Sequence, residues 1–115
     1  MSAGYLELFL EQGEDYSVNI TLDGLNGYPY NLTNSNVKSD IRKSYWSANV
    51  AASFSANVAN TQLGIINLSL SANTTQNIKS GRYVYDVFIT NTSNPTNRSK
   101  VLEGIIHVEP SSTKI

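Results

Sequence analysis

Gly81-Arg82-Tyr83-Val84-Tyr85-Asp86-Val87-Phe88-Ile89-Thr90 carries the strongest alternation in the chain. Side chains two residues apart share one face of an extended strand. Tyr83, Tyr85, Val87 and Ile89 therefore line one side, and Arg82, Val84, Asp86 and Phe88 the other. Apolar residues on both sides predict a central strand, covered at least in part on each face. Asp86 is the charge inside it, and a carboxylate in such a place is costly unless it is paired. Gly81, just ahead of the strand, reads as the stop signal of a short helical turn.

The whole-chain composition agrees with a β reading. At 115 residues the chain is one domain with room for a two-layer core. Charged residues make up only 15%, and Asn, Ser and Thr together supply about a third of the sequence. That mix is poor in helix formers and rich in turn and strand-edge residues. The net charge of -1 is scattered, which gives nucleic acid and anionic lipid nothing to bind. With no cysteine, disulfides, thiolate metal sites and a cysteine nucleophile are excluded. The lone His107 is a poor basis for a metal site or a general base, and reads as an outward-facing strand residue. The acids lack the alternating spacing of a calcium loop, so neither metal nor cofactor is expected. The start has no signal-peptide pattern and no apolar run approaches a membrane span, so the expectation is a soluble chain made in a cytoplasm. Six Asn-x-Ser/Thr sequons follow largely from composition, and glycosylation is not expected.

Outward from the central strand, residues 5–10 alternate and give a first strand. Residues 16–22 give a second, with Tyr16, Val18, Ile20 and Leu22 inward, and the two read as a sheet edge or hairpin. Asp23-Gly24 and Asn26-Gly27 are turn signals. Residues 37–43 form a third strand with Val37, Ser39 and Ile41 inward and Lys38, Asp40 and Arg42 outward. Residues 51–58 alternate weakly through Ala52, Phe54, Ala56 and Val58, and residues 63–70 are a further strand. Ser71 or Asn73 can cap one helical turn before Gly81. A polar loop at 91–97 leads to the last strand at 100–108, which Pro110 stops. The prediction is an all-β, immunoglobulin-like sandwich of about seven strands over 5–110, with one helical turn before the penultimate strand. An N-terminal arm at 1–4 and a tail at 111–115 flank it.

Gly81-Arg82-Tyr83 sits where such sandwiches place a tyrosine corner, with Tyr83 as the corner residue. Over nearly its whole length the chain also resembles the small immunoglobulin-like modules of tailed-bacteriophage virion proteins, including the N-terminal module of some baseplate upper proteins. The matching pieces come in order. They are Gly13-Glu14-Asp15-Tyr16-Ser17-Val18, Pro29-Tyr30-Asn31-Leu32-Thr33, Leu68-Ser69-Leu70-Ser71-Ala72, the run from Gly81 to Val87, and Leu102-Glu103-Gly104-Ile105-Ile106-His107-Val108-Glu109-Pro110. The resemblance implies a non-enzymatic structural part of a virion, assembled in the host cytoplasm. Its partners would be other virion proteins in many copies, in the tail, the baseplate or on the capsid, with self-association one option. Contacts would run through edge strands and through the arms at 1–4 and 111–115.

Four aromatics beside loops, Tyr28, Tyr30, Tyr45 and Trp46, are the candidate binding residues. Tyr30 and Trp46 are also expected to cover the ends of the core. If Tyr28, Tyr45 and Trp46 form an exposed ring, the chain is instead a carbohydrate-binding or host-adhesion module. Asp86 is expected to be a structural carboxylate neutralised by Arg42, by Lys38 or by a set of backbone N–H groups. An acid/base role would need Asp40 and Asp86 together in a pocket free of basic neighbours.

Overall fold

A computed structural model describes residues 4–22, 30–94 and 96–113. The turn signals at 23–29, Tyr28 among them, lie outside the described residues, as do Pro95 and both extreme ends. Nine strand segments and one helix are described. They are β1 (Gly4–Tyr5), β2 (Leu8–Glu11), β3 (Tyr16–Thr21), β4 (Ser35–Arg42), β5 (Ala52–Ser53), β6 (Ser55–Asn60), β7 (Ile65–Leu70), α1 (Ala72–Gln76), β8 (Gly81–Asn91) and β9 (Arg98–Glu109). The larger sheet runs β1-β9-β8-β4-β5, with β2 also on β9, and the smaller runs β3-β7-β6.

The alternation places the core as expected. Tyr85 and Val87 of β8, Ile41 of β4 and Ile106 of β9 are fully buried against Ile66 and Leu68 of β7. β8 lies between β4 and β9, both antiparallel to it. Its outer face is half-buried and stands open to solvent, without the second cover that its apolar residues suggested. Ser71 caps α1, its hydroxyl accepting from the Thr74 N–H at 3.3 Å.

Two strand assignments need correction. Residues 5–10 and 16–22 make no hairpin. The first segment runs parallel to β9 in the larger sheet, while β3 pairs with β7 in the smaller. Residues 51–58 are not one strand either. β5 pairs with β4, β6 pairs with β7, and the chain changes sheets at the buried Phe54. Alternation records which side chains point inward, and both sheets of a sandwich satisfy it equally.

A tight crossing fixes the first strand. Leu6 N–H donates to the Glu103 carbonyl at 3.0 Å, and the Tyr85 hydroxyl donates to the Leu6 carbonyl at 2.7 Å. Gly104 makes the crossing feasible, because a Cβ there would run into that carbonyl. Gly4, assigned to the arm, already starts β1.

Candidate functional site

The aromatic candidates separate. Tyr30 is half-buried, packs on the core, and lies near β8 and β9 where they join through 91–97. Tyr45 and Trp46 lie at the other end, in the link between β4 and β5. Trp46 does not cover the core: it is 94% exposed, and Tyr45 is 48% exposed. The local geometry explains it. Ser47 N–H donates to the Ser44 carbonyl at 3.1 Å, making Tyr45 and Trp46 the two central residues of a turn. Arg42 clamps the link, its guanidinium donating to the Ser47 and Ala48 carbonyls at 3.0 Å each. Trp46 is thus held at the tip, pointing into solvent.

That clamp also decides the surroundings of Asp86. Arg42 is spent on the loop carbonyls, Lys38 is exposed, and neither closes an ion pair on Asp86. The expected pairing is therefore corrected. Strand register instead sets Asp40, Asp86 and Glu103 side by side on β4, β8 and β9. Ser53 Oγ donates to Asp40 Oδ1 at 2.7 Å at one end of this row, and Lys100 Nζ meets Glu103 Oε1 at 3.2 Å near the other. Burial, first, holds the Asp86 carboxyl above the ordinary aspartate value. Asp40 and Glu103 push the same way, while Lys100 and Arg42 oppose them.

An open depression of about 280 Å³ lies over the Asp40 and Asp86 end of this row, lined by both and also by Lys38, Arg42 and Arg98. It lacks the enclosed, base-free surroundings that a carboxylate acid/base pair needs. Among the described residues no cluster of acids or histidines stands close enough to hold a metal ion. Glu103 escaped sequence reasoning, since its place beside Asp86 depends on a bulge at Val101, where Val87 faces Leu102 but Phe88 faces Lys100. The adjacent buried pair Val101-Leu102 is the trace such a bulge leaves in a sequence.

Tyr83 is a structural residue. Its hydroxyl donates to the Lys79 carbonyl at 2.7 Å, the bond of a tyrosine corner, and Lys43 Nζ sits 4.6 Å from its ring centroid. Gly81, with φ +141°, takes a conformation that side chains disfavour. His107 faces outward as expected, but not alone: its Nε2 lies 2.8 Å from Glu7 Oε2, and Phe9 stacks on its ring at 5.0 Å. Phe9 (62% exposed) and Tyr5 (61% exposed) line the first-strand edge, a feature the alternation of 5–10 showed without marking it as exposed.

The remaining open features are the edges of the smaller sheet. Among the described residues, no strand pairs with the outer side of β3 or of β6, and neither contains a charged residue or a proline. β6 is interrupted by a bulge between Val58 and Asn60, whereas β3 is regular throughout.

No family model and no curated protein matches the chain. Among solved structures, one from a photo-crosslinking analysis of multimeric cell-adhesive interactions of VGSC beta subunits is similar over 98% of both chains, at 15% identity and a TM-score of 0.42. A family 123 glycoside hydrolase from Clostridium perfringens is similar over 96% of this chain and 24% of its own length, at 11% identity and a TM-score of 0.41. The two-sheet strand order and the bonded tyrosine corner make this chain an immunoglobulin-like β-sandwich.

Proposed function

We propose that this chain is a non-enzymatic structural module of a tailed-phage virion, assembling with other virion proteins through its sheet edges and its ends. One observation carries the reading: both edges of the smaller sheet lack the charges and prolines that monomeric proteins use to keep strands from pairing. Such edges add strands from neighbours by main-chain hydrogen bonding. In a particle, many copies make a weak single contact sufficient. The virion context rests on the resemblance of the ordered sequence pieces to phage modules. Mass spectrometry and immunogold labelling of purified tailed-phage particles test it. The chain is expected in the particle at fixed stoichiometry with capsid or tail proteins. Its absence from particles made by cells that express it refutes the proposal.

A second reading, a carbohydrate-binding or host-adhesion module, is favoured by the turn that holds Trp46 in solvent beside Tyr45. An aromatic face presented this way can stack on a sugar ring. Glycan-array binding that Trp46→Ala abolishes would support it, and an array without binding would dismiss it.

A further inference from the structure

β3 ends the smaller sheet because the first strand, which neighbours it in the usual arrangement of this sandwich, is committed here to β9. The direction of the free backbone groups follows from one bond. Leu22 N–H donates to the Gly64 carbonyl at 2.7 Å, continuing the β3–β7 ladder by one pair. Alternate residues of an antiparallel strand bond to the same side. Tyr16, Val18 and Ile20 therefore address β7, and Ser17, Asn19 and Thr21 turn their N–H and C=O groups to the open side. Tyr16 and Val18 are only half-buried, so the core beneath this edge is partly uncovered.

We infer that β3 pairs antiparallel with β3 of a second copy of this chain, merging two small sheets into one continuous sheet across a two-fold axis. The inference rests on the reading of the chain as an edge-assembling module. Three features select a second copy. The strand is uncharged throughout, so two copies meet without repulsion. Only some registers set inward residues against inward ones and open backbone groups against open ones. With Val18 opposite Val18, Ser17 faces Asn19 of the second copy twice, giving about four main-chain bonds. The same register sets Glu14 and Asp15 against Leu22 and Thr21 of the second copy, so the Glu14-Asp15 pairs of the two copies stand at opposite ends of the seam.

The third feature is side-chain complementarity. Asn67 Nδ2 donates to Ser17 Oγ at 3.0 Å and to Asn19 Oδ1 at 2.9 Å. This fixes both side chains on the outer face and orients the Asn19 amide. Its NH₂ group is left to donate across the seam to Ser17 Oγ of the second copy.

Sedimentation velocity of the full chain over a wide concentration range tests the inference. The wild type is expected to pass from monomer to dimer. Asn19→Pro removes an outward N–H and spares the ladder to β7, a change that edge strands tolerate. It should weaken the dimer about tenfold or more, since one main-chain bond is lost at each of two symmetric positions. Ala56→Pro makes the matching change on the open side of β6 and should dimerise like the wild type. A wild type that stays monomeric, a dimer that survives Asn19→Pro in a folded chain, or a dimer lost only in Ala56→Pro overturns the inference. If circular dichroism shows Asn19→Pro unfolded, Asn19→Lys carries the test. It brings two like charges to about 7–8 Å across the seam and should abolish the dimer at low salt; a dimer that persists there overturns the inference. A monomeric chain found in purified particles would sink this inference and leave the virion proposal standing. A dimer absent from particles would do the reverse.

Discussion

Replacing Gly104 with alanine tests how the first strand is held, and through it why the β3 edge is open. The added Cβ would collide with the Leu6 carbonyl, which is backbone and cannot swing aside, and would come within 3.1 Å of the Tyr85 ring. Relief requires the first strand to lift from β9. Lifting breaks the Leu6 N–H bond to Glu103 and the Tyr85 hydroxyl bond to Leu6. Each is worth about 1 kcal/mol net, and a buried hydroxyl left without a partner adds about 1–2 kcal/mol. Tyr85 is 1% exposed, so its hydroxyl recovers little from water. The expected loss is about 2–4 kcal/mol, a drop in Tm of roughly 8–20 °C for a domain of this size. Thermal unfolding followed by circular dichroism measures it, and hydrogen exchange should show the Leu6 amide losing protection. A variant within about 0.5 kcal/mol of the wild type, with Leu6 still protected, would refute the reasoning.

Other changes should have smaller or opposite effects. Tyr83→Phe removes the bond to the Lys79 carbonyl and should cost about 1–2 kcal/mol in urea unfolding. Trp46→Ala should leave stability within about 0.5 kcal/mol, because its side chain covers nothing. Asp86→Asn should raise Tm at neutral pH. The folded state holds the Asp86 carboxyl above its unfolded value, so between the two the native chain binds more protons and stability falls as pH rises. The advantage of Asp86→Asn should therefore shrink as pH falls and vanish below the ordinary aspartate value of 3.8. An advantage that persists there, or grows, would contradict the assignment.

What the sequence disclosed and what it hid divide along one line. The period of two placed Tyr83, Tyr85, Val87 and Ile89 in the core. Ser71 marked the start of α1, and Gly81-Arg82-Tyr83 marked the corner. These are local signals. Which sheet a strand joins is not local, so the parallel pairing of the first strand and the sheet change at Phe54 were not legible. Register hid Glu103 beside Asp86, since a bulge at Val101 is needed to align them. Hydrophobicity misplaced Trp46, because exposure there depends on a turn and on the Arg42 clamp.

The central claim is that this sandwich acts as a building block whose contacts run through strand edges. Cryo-electron microscopy of tailed-phage particles containing the chain tests it most directly. Density for the sandwich is expected at every symmetry-related position, with a neighbouring strand added to the β3 or β6 edge. Density that contacts its neighbours only through the Tyr45–Trp46 turn, with both edges facing solvent, would contradict it.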